Sequence, residues 1–391
     1  MIHAIIVGDA PVRLWGLTGR QRLERQIGAL RDVRLLADEA GLPARGRVLL
    51  VRGDFLFEQR ALAELLAREG ALWVHGVPAA VLVPAQRAGE ALAALRQGRT
   101  AALPALHPHD LQAFEGDLRK SAPPLVAAID AGRRDELETR LYGAAYKGIT
   151  DFVTKWWWPR PAKAGVRMFA GAGITPNMVT ATGFLLMLAT CWLFYEGQYA
   201  AGLLLGWLMT YLDTVDGKLA RVTAQSSRVG HLLDHGMDLL HPPFWYLLWG
   251  MSLEAFEPLA GIGQAGLYLA IFAGYIGGRI VEGVFDLLGE TSIFAWRPFD
   301  AYFRLYTARR NPCLVLLTVA WALGSPALGL WLVAGWTALS TLVLVARLAY
   351  ALRVRAVEGR LRSWLADPDA AQRYPRAYAE FAATRQAGAG A

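Results

Sequence analysis

DTVDGKLARVTAQSSRVGHLLDHGMD, residues 213–238, decides how the rest of the chain is read. Its four aspartates form two pairs, Asp213/Asp216 three residues apart and Asp234/Asp238 four apart. On helices, both spacings put a pair on one face. The run from Ala201 to Leu212 leads into the first pair, and Leu239-Leu240 and Phe244-Trp-Tyr-Leu-Leu-Trp follow the second. The carboxylates therefore stand at the ends of two apolar segments, near a membrane surface, where an ionised group is costly unless it is paired or metal-bound. Four hard oxygen ligands converging from two helices suit one or two Mg²⁺ or Mn²⁺ ions.

Written as spacing, the stretch is D-x-x-D-G-x-x-A-R-x8-G-x3-D-x3-D, with Gly217, Ala220, Arg221 and Gly230 at the intermediate positions. It resembles the complete signature of the CDP-alcohol phosphotransferases, integral-membrane enzymes that make phospholipid head-group linkages. The resemblance covers roughly residues 145–350. It implies attack by an acceptor hydroxyl on the β-phosphorus of a CDP-alcohol with release of CMP. It also implies metal held by Asp213, Asp216, Asp234 and Asp238, with Asp238 doubling as general base. Asn177, Gly217, Ala220, Arg221, Ser227 and Gly230 are the implied CDP-alcohol contacts, Gly217 allowing close approach to the backbone. The family resembles homodimers. Its donor would be CDP-diacylglycerol or another CDP-alcohol.

The chain has 391 residues, enough for two domains. Its net charge of +7 does not form a compact basic stripe with interleaved aromatics, so nucleic acid is not an expected partner. The cations cluster beside apolar segments instead, as in membrane proteins. Cys191 and Cys313 lie in separate apolar segments without CxxC spacing, which argues against a disulfide framework or zinc site.

Residues 1–144 read as a soluble, Rossmann-like α/β domain with a mainly parallel sheet. Strands are expected at 2–8, 48–55, 71–75 and 80–83, alternating with helices at 21–30, 59–68 and 86–96. This half resembles the sugar-phosphate nucleotidyltransferases through Arg13-Leu-Trp-Gly-Leu-Thr, Glu24-Arg-Gln and the strand end Gly53-Asp54. It departs from them where phosphate should bind. Gly8 is followed by Asp-Ala-Pro-Val, and Pro11 removes a backbone donor. The expectation is a degenerate, non-catalytic copy, so that transfer needs only the membrane half. The alternatives are a bifunctional enzyme that makes its own CDP-alcohol and a transporter with a regulatory domain.

Residues 145–176 read as an interfacial connector, with Trp156-Trp157-Trp158 at the headgroups and Lys155, Arg160, Lys163 and Arg167 against lipid phosphates. Thr175-Pro176-Asn177 is a helix start. The third part, 177–355, is expected to be an α-helical integral membrane domain of about six transmembrane helices. Its apolar spans lie near 178–195, 199–215, 230–250, 264–288, 311–324 and 327–347. Lys and Arg are absent from the connections at 196–198 and 251–263 and gather on the other side, which puts both termini and the aspartates on the cytoplasmic side of a cell membrane. Gly274-x-x-x-Gly278 reads as close helix packing, within the chain or at a dimer interface. Arg279, Arg309 and Arg310 are the acceptor-site candidates, suited to the phosphate of inositol phosphate or glycerol phosphate unless Arg279 simply pairs with Glu282 or Asp286. The tail, 356–391, is mostly polar and gives no expectation of structure.

Overall fold

The computed structural model describes residues 1–100, 103–225 and 228–382, and the side chains at 228–235, 237 and 238 lie outside the described set. Among the described residues, the first seven strands of the front domain are β1 (Ile2–Val7), β2 (Val33–Leu35), β3 (Arg47–Arg52), β4 (Phe55–Phe57), β5 (Gly70–Val74), β6 (Val77–Pro84) and β7 (Ala105–Leu106). Six form one sheet in the order β2-β1-β3-β6-β5-β7; β4 pairs instead with Val126–Ala128. β1 is parallel to β2 and β3, and β5 to β7, but β6 runs antiparallel to both its neighbours. The sheet is thus mixed rather than mainly parallel. The reason is local: β5 and β6 are joined through His75 and Gly76 alone, with φ of 49° and 77°. Two successive positive φ values make the tight turn that matches strand twist in a hairpin.

Central β3 presents Val48, Leu49, Leu50 and Val51 with no exposure, so both faces of the sheet are covered. On one face Leu49 and Val51 pack against Leu23 and Ile27 of α1 (Gly19–Gly28) and Leu62 of α2 (Gln59–Leu65). On the other, Val48 and Leu50 meet Leu92 and Leu95 of α3 (Ala88–Arg96). Helix α4 (Arg134–Ala144) leads to a short π-helical turn, Val153–Trp157, and α5 (Pro159–Gly171).

All six expected apolar segments are helical: α6 (Pro176–Tyr195), α7 (Tyr199–Val222), α8 (Arg228–Met251), α9 (Gln264–Leu288), then, after α10 (Pro298–Tyr306), α11 (Arg310–Ala322) and α12 (Pro326–Glu358). Among the described residues three of them, α6, α9 and α12, are long and apolar enough to cross a membrane. Helix α11 has 13 residues, a length of about 20 Å against a hydrocarbon core of about 30 Å. The Thr175-Pro176 start is as expected, with the Thr175 hydroxyl accepting from the Met178 N–H. Gly274 and Gly278 face α12 of the same chain, where Thr337, Thr341 and Leu344 fill the space above them. Their close packing is therefore intramolecular.

The connector is tied inward more than the sequence suggests. Trp156 and Trp157 are exposed, but Trp158 lies edge-on to Trp207 and Tyr211 of α7. Lys155 donates to the Gly148 and Glu380 carbonyls, Lys163 to the Thr139 hydroxyl, and Arg167 to Asp135 and Glu138. Arg160 and Arg167 keep the exposed position expected of all four cations, while Lys155 and Lys163 are half-buried. The tail is structured too as far as residue 382. Trp364, Leu365 and Phe381 are buried in a core with Ile149, Phe294 and Trp296, and the Ser121 N–H donates to the Ala382 carbonyl.

The two domains share an apolar core in which Leu14, Trp15, Leu141 and Tyr142 meet Val166, Leu212, Val215 and Leu219. Within it, Arg22 of α1 donates to the Val222 carbonyl at 2.5 Å and to the Leu14 carbonyl at 2.9 Å, and Arg25 donates to the Thr223 carbonyl at 2.8 Å. The last carbonyls of a helix lack intrahelical partners and carry its negative dipole end, so two guanidiniums there are well placed. Burial, and then Arg25, push the Arg22 pKa down to about 10, against a smaller opposing effect of Glu138. It still carries its proton at neutral pH. We expect Arg22→Met to destabilise the full chain by about 1.5–3 kcal/mol, the range for hydrogen bonds to a charged group. Thermal unfolding in detergent would check this, and an unchanged midpoint would mean that the cap contributes nothing.

Candidate active site

Helix α7 carries the first half of the signature, and its register decides what each residue meets. Asp213 and Asp216, three apart, lie one turn from each other. The Asp213 Oδ2 accepts from Arg310 Nη2 at 2.5 Å, with Arg310 at the first position of α11. Asp216 is buried, 6% exposed, and its Oδ2 accepts from the Thr180 hydroxyl of α6 at 2.8 Å. Lys218 is buried between them and the connector, its ammonium 3.9 Å from the centre of the Tyr146 ring. Arg221 donates through Nε to the Ala145 carbonyl at 2.8 Å. A Cβ on Gly217 would come to 3.2 Å from the Arg221 guanidinium, so glycine gives that side chain its room.

Asn177, Asp216, Gly217, Ala220 and Arg221 all line one cavity of about 490 Å³. That size suits a small-molecule ligand of nucleotide dimensions. The opposite lining comes from the front domain: Arg25, Gln26, Phe57, Glu58, Gln59 and Arg60. Nothing in the sequence pointed to these residues, because no local pattern tells which face of a soluble domain a membrane helix will cover. Thr180 was missed for a similar reason; only the packing of α6 on α7 reveals its contact with Asp216. Behind the cavity, Lys120 bridges Glu58 and Glu115 and donates to the Ala144 carbonyl. Burial works to raise the Glu58 pKa, but Lys120 and Arg60 outweigh it and hold Glu58 below the usual carboxylate range. Burial raises that of Glu115.

Ser227, and the side chains of Gly230, Asp234 and Asp238, lie outside the described residues, so the second aspartate pair is placed only by the helical backbone of α8. Among the described residues no group of three or more His, Cys, Asp or Glu gathers as a metal site. The described half of the expected set consists of carboxylates alone, a donor chemistry that fits Mg²⁺ or Mn²⁺ and not a soft metal. The acceptor candidates are brought together but already paired. Arg309 forms an ion pair with Glu282, and Arg279 lies 3.5 Å from the same carboxylate while donating to the Tyr275 hydroxyl. The pairing of Arg279 with Glu282, weighed as the simpler reading of the sequence, is what the structure contains.

Comparison with known proteins singles out the same part of the chain. Residues 173–278, which span Asn177 and both aspartate pairs, match the family model described as CDP-alcohol phosphatidyltransferase. Among curated relatives, the archaetidylinositol phosphate synthase of Pyrococcus horikoshii is 39% identical over 88 residues, 22% of this chain and 45% of that protein. Choline/ethanolaminephosphotransferase 1 of Arabidopsis thaliana is 33% identical over 122 residues, covering 28% of this chain and 30% of its own. Choline/ethanolaminephosphotransferase 2 of the same plant is 42% identical over 77 residues, 17% and 20% respectively. The chain thus spans less than half the length of each of these relatives. The cavity-lining half of α7, the start of α6 and the aspartate signature all fall inside the matched segment, and this chain carries, over residues 173–278, a domain of the CDP-alcohol phosphatidyltransferase family.

Proposed function

We propose that the protein is a membrane enzyme of phospholipid or polyol-phosphodiester synthesis. It transfers the phosphoalcohol group of a CDP-alcohol to an acceptor hydroxyl and releases CMP. The observation that carries this reading is the cavity on which Asn177, Asp216, Gly217, Ala220 and Arg221 converge, since the resemblance of the signature implies a CDP-alcohol at these positions. Asp213, Asp216, Asp234 and Asp238 hold one or two Mg²⁺ or Mn²⁺ ions, which neutralise pyrophosphate charge and stabilise the leaving CMP when bound. Arg221, Ser227 and Gly230 contact the nucleotide. The Thr180 hydroxyl fixes the Asp216 carboxylate, and Arg310 fixes that of Asp213. Asp238 takes the proton of the attacking hydroxyl, a role that requires it to be at most partly engaged by metal.

The acceptor is a phosphorylated polyol, inositol phosphate or glycerol phosphate. Support comes from the archaetidylinositol phosphate synthase among the relatives, from Arg279 and Arg309, which meet at Glu282, and from Arg310, which pairs with Asp213. An incoming phosphate would have to compete with Glu282 for Arg279 and Arg309, since both already contact that carboxylate. The donor is CDP-diacylglycerol or a related CDP-alcohol. Six helices span the membrane, the aspartates and both termini facing the cytoplasm, and the chain works as a homodimer. The charge asymmetry of the connecting segments supports that orientation.

The front domain acts without nucleotidyl transfer of its own. A Cβ on Gly19 would collide with the Gly53 carbonyl, and one on Gly53 with that of Gly8, so these backbones touch where a nucleotidyltransferase-like phosphate loop would need space. Arg20 donates to the Ile6 and Gly8 carbonyls, and Asp54 pairs with Arg52 at 2.6 Å. The decisive assay is CMP release by the full chain from CDP-diacylglycerol with inositol phosphate or glycerol phosphate as acceptor. Product formation is expected only with Mg²⁺ or Mn²⁺, and Asp213→Asn or Asp234→Asn should abolish it while leaving the fold intact. Full turnover in excess EDTA would remove the metal from the mechanism.

Thr180→Val deletes one hydrogen bond to a charged carboxylate and keeps the side-chain shape. It should lower kcat/KM for CMP release about tenfold, the lower end of the range for such bonds, because the same hydroxyl also donates to the Pro176 carbonyl. An unchanged kcat/KM would mean that Asp216 is oriented by other groups.

A further inference from the structure

Glu58, Arg60 and Ala144 border two cavities, the one described above and a second of about 580 Å³ lined wholly by front-domain residues. The second lies between the end of β5, the turn Pro108–Asp110, the segment 122–126 and the last turns of α4. None of Gly8, Gly53 and Asp54 lines it, so it is not the place where the resemblance to nucleotidyltransferases would put a phosphate. Two of its cations are already balanced: Arg60 and Lys120 pair with Glu58 and Glu115. The remaining titratable lining is Arg140 with His75, His107 and His109. The Arg140 side chain is 36% exposed, its nearest carboxylate is Glu136 at 3.7 Å, and its guanidinium makes no hydrogen bond among the described residues. The three histidines are exposed. His75 stands at the tip of the β5–β6 hairpin with φ of 49°, a conformation costly for a residue with a Cβ.

The arrangement favours an anion over a metal ion. The His107 and His109 rings are parallel, 5.3 Å between centres. Rings stacked in this way hold their nitrogens in separate planes and do not converge two lone pairs on one ion. Among the described residues no group of three His, Cys, Asp or Glu gathers as a metal site. Each imidazole offers an N–H donor, and Arg140 a planar fork of donors that fits phosphate oxygens. Below this rim the floor is apolar, with Trp73 half-buried and Pro124, Leu125 and Val126 buried. Donors around an apolar floor suit a ligand with a charged end and an organic body.

We propose that this cavity is a second ligand site, taking a small phosphate monoester whose phosphate is held by Arg140, His75, His107 and His109. The inference stands apart from the CDP-alcohol reading. It gives the front domain a ligand of its own without use of the phosphate loop. A phosphorylated polyol and a nucleoside monophosphate share the required chemistry, and the test separates them.

The test is calorimetric titration of the full-length protein in detergent and excess EDTA with inositol phosphate, CMP and inorganic phosphate. At least one organic ester should bind about tenfold more tightly than inorganic phosphate, and which one identifies the source. Arg140→Gln should weaken that ester about tenfold or more, the effect of losing hydrogen bonds from a charged group. Arg134→Gln, an exposed arginine of the same helix outside the cavity, should leave its affinity unchanged. An equal loss in both variants would reduce the binding to general charge attraction and overturn the site. So would organic esters that bind no better than inorganic phosphate, or binding that survives Arg140→Gln and disappears in Arg221→Gln, which would belong to the other cavity. Where Arg140→Gln fails to fold, the double variant His107→Gln, His109→Gln decides: unchanged affinity for the ester overturns the assignment.

Discussion

The cap that Arg22 and Arg25 place on α7 is the constraint from which the rest of the arrangement follows. A helix carrying a buried carboxylate, a buried lysine and an arginine in its last turns ends inside protein, and its final carbonyls need donors. The donors come from another domain, some two hundred residues earlier in the chain. This fixes α1 against α7 and closes an apolar core around the contact. The cavity between them exists because the two surfaces meet through these charged and apolar contacts at one end and stand apart at the other.

Charge placement around the site follows one rule: each buried or half-buried charge leans on a specific partner. Arg309 and Arg310 stand at the start of α11, the wrong end of a helix dipole for cations, and Glu282 and Asp213 offset that cost. Lys218 lies over Tyr146, and Asp216 is held by Thr180. Such pairs hold side-chain rotamers in place, the kind of preorganisation that phosphoryl-type transfer draws on. The same pairing limits what the arginines can do for an acceptor, because a phosphate must exchange with a carboxylate instead of entering vacant space.

Much of the architecture was legible in the sequence. The apolar runs fixed the positions of the six helices, Thr175-Pro176 fixed the start of α6, and the fixed spacing from Asp213 to Asp238 identified the family domain. Strong periodicity and rare residue combinations survive in one dimension. Of the sheet's six strands β1, β3, β5 and β6 were legible, but the two- and three-residue β2 and β7 were not, and neither were the directions, since His75-Gly76 is a weaker hairpin signal than Asn-Gly and positive φ at histidine is uncommon. The tail escaped notice because Trp364, Leu365 and Phe381 are scattered among polar residues, and their burial depends on a surface built by distant segments.

By itself, then, the sequence determined the class of the family domain and the carboxylates of its signature. Each of these is a matter of residue types at short, fixed separations. Only the tertiary structure decided that Gly274 and Gly278 pack within the chain, that Arg279 and Arg309 share Glu282, and that Gln26 and Gln59 line the same cavity as Asp216. Those facts depend on which faces of separately formed elements come together. Burial of apolar surface and the need to satisfy every buried polar group select that pairing, and neither is recorded in local spacing.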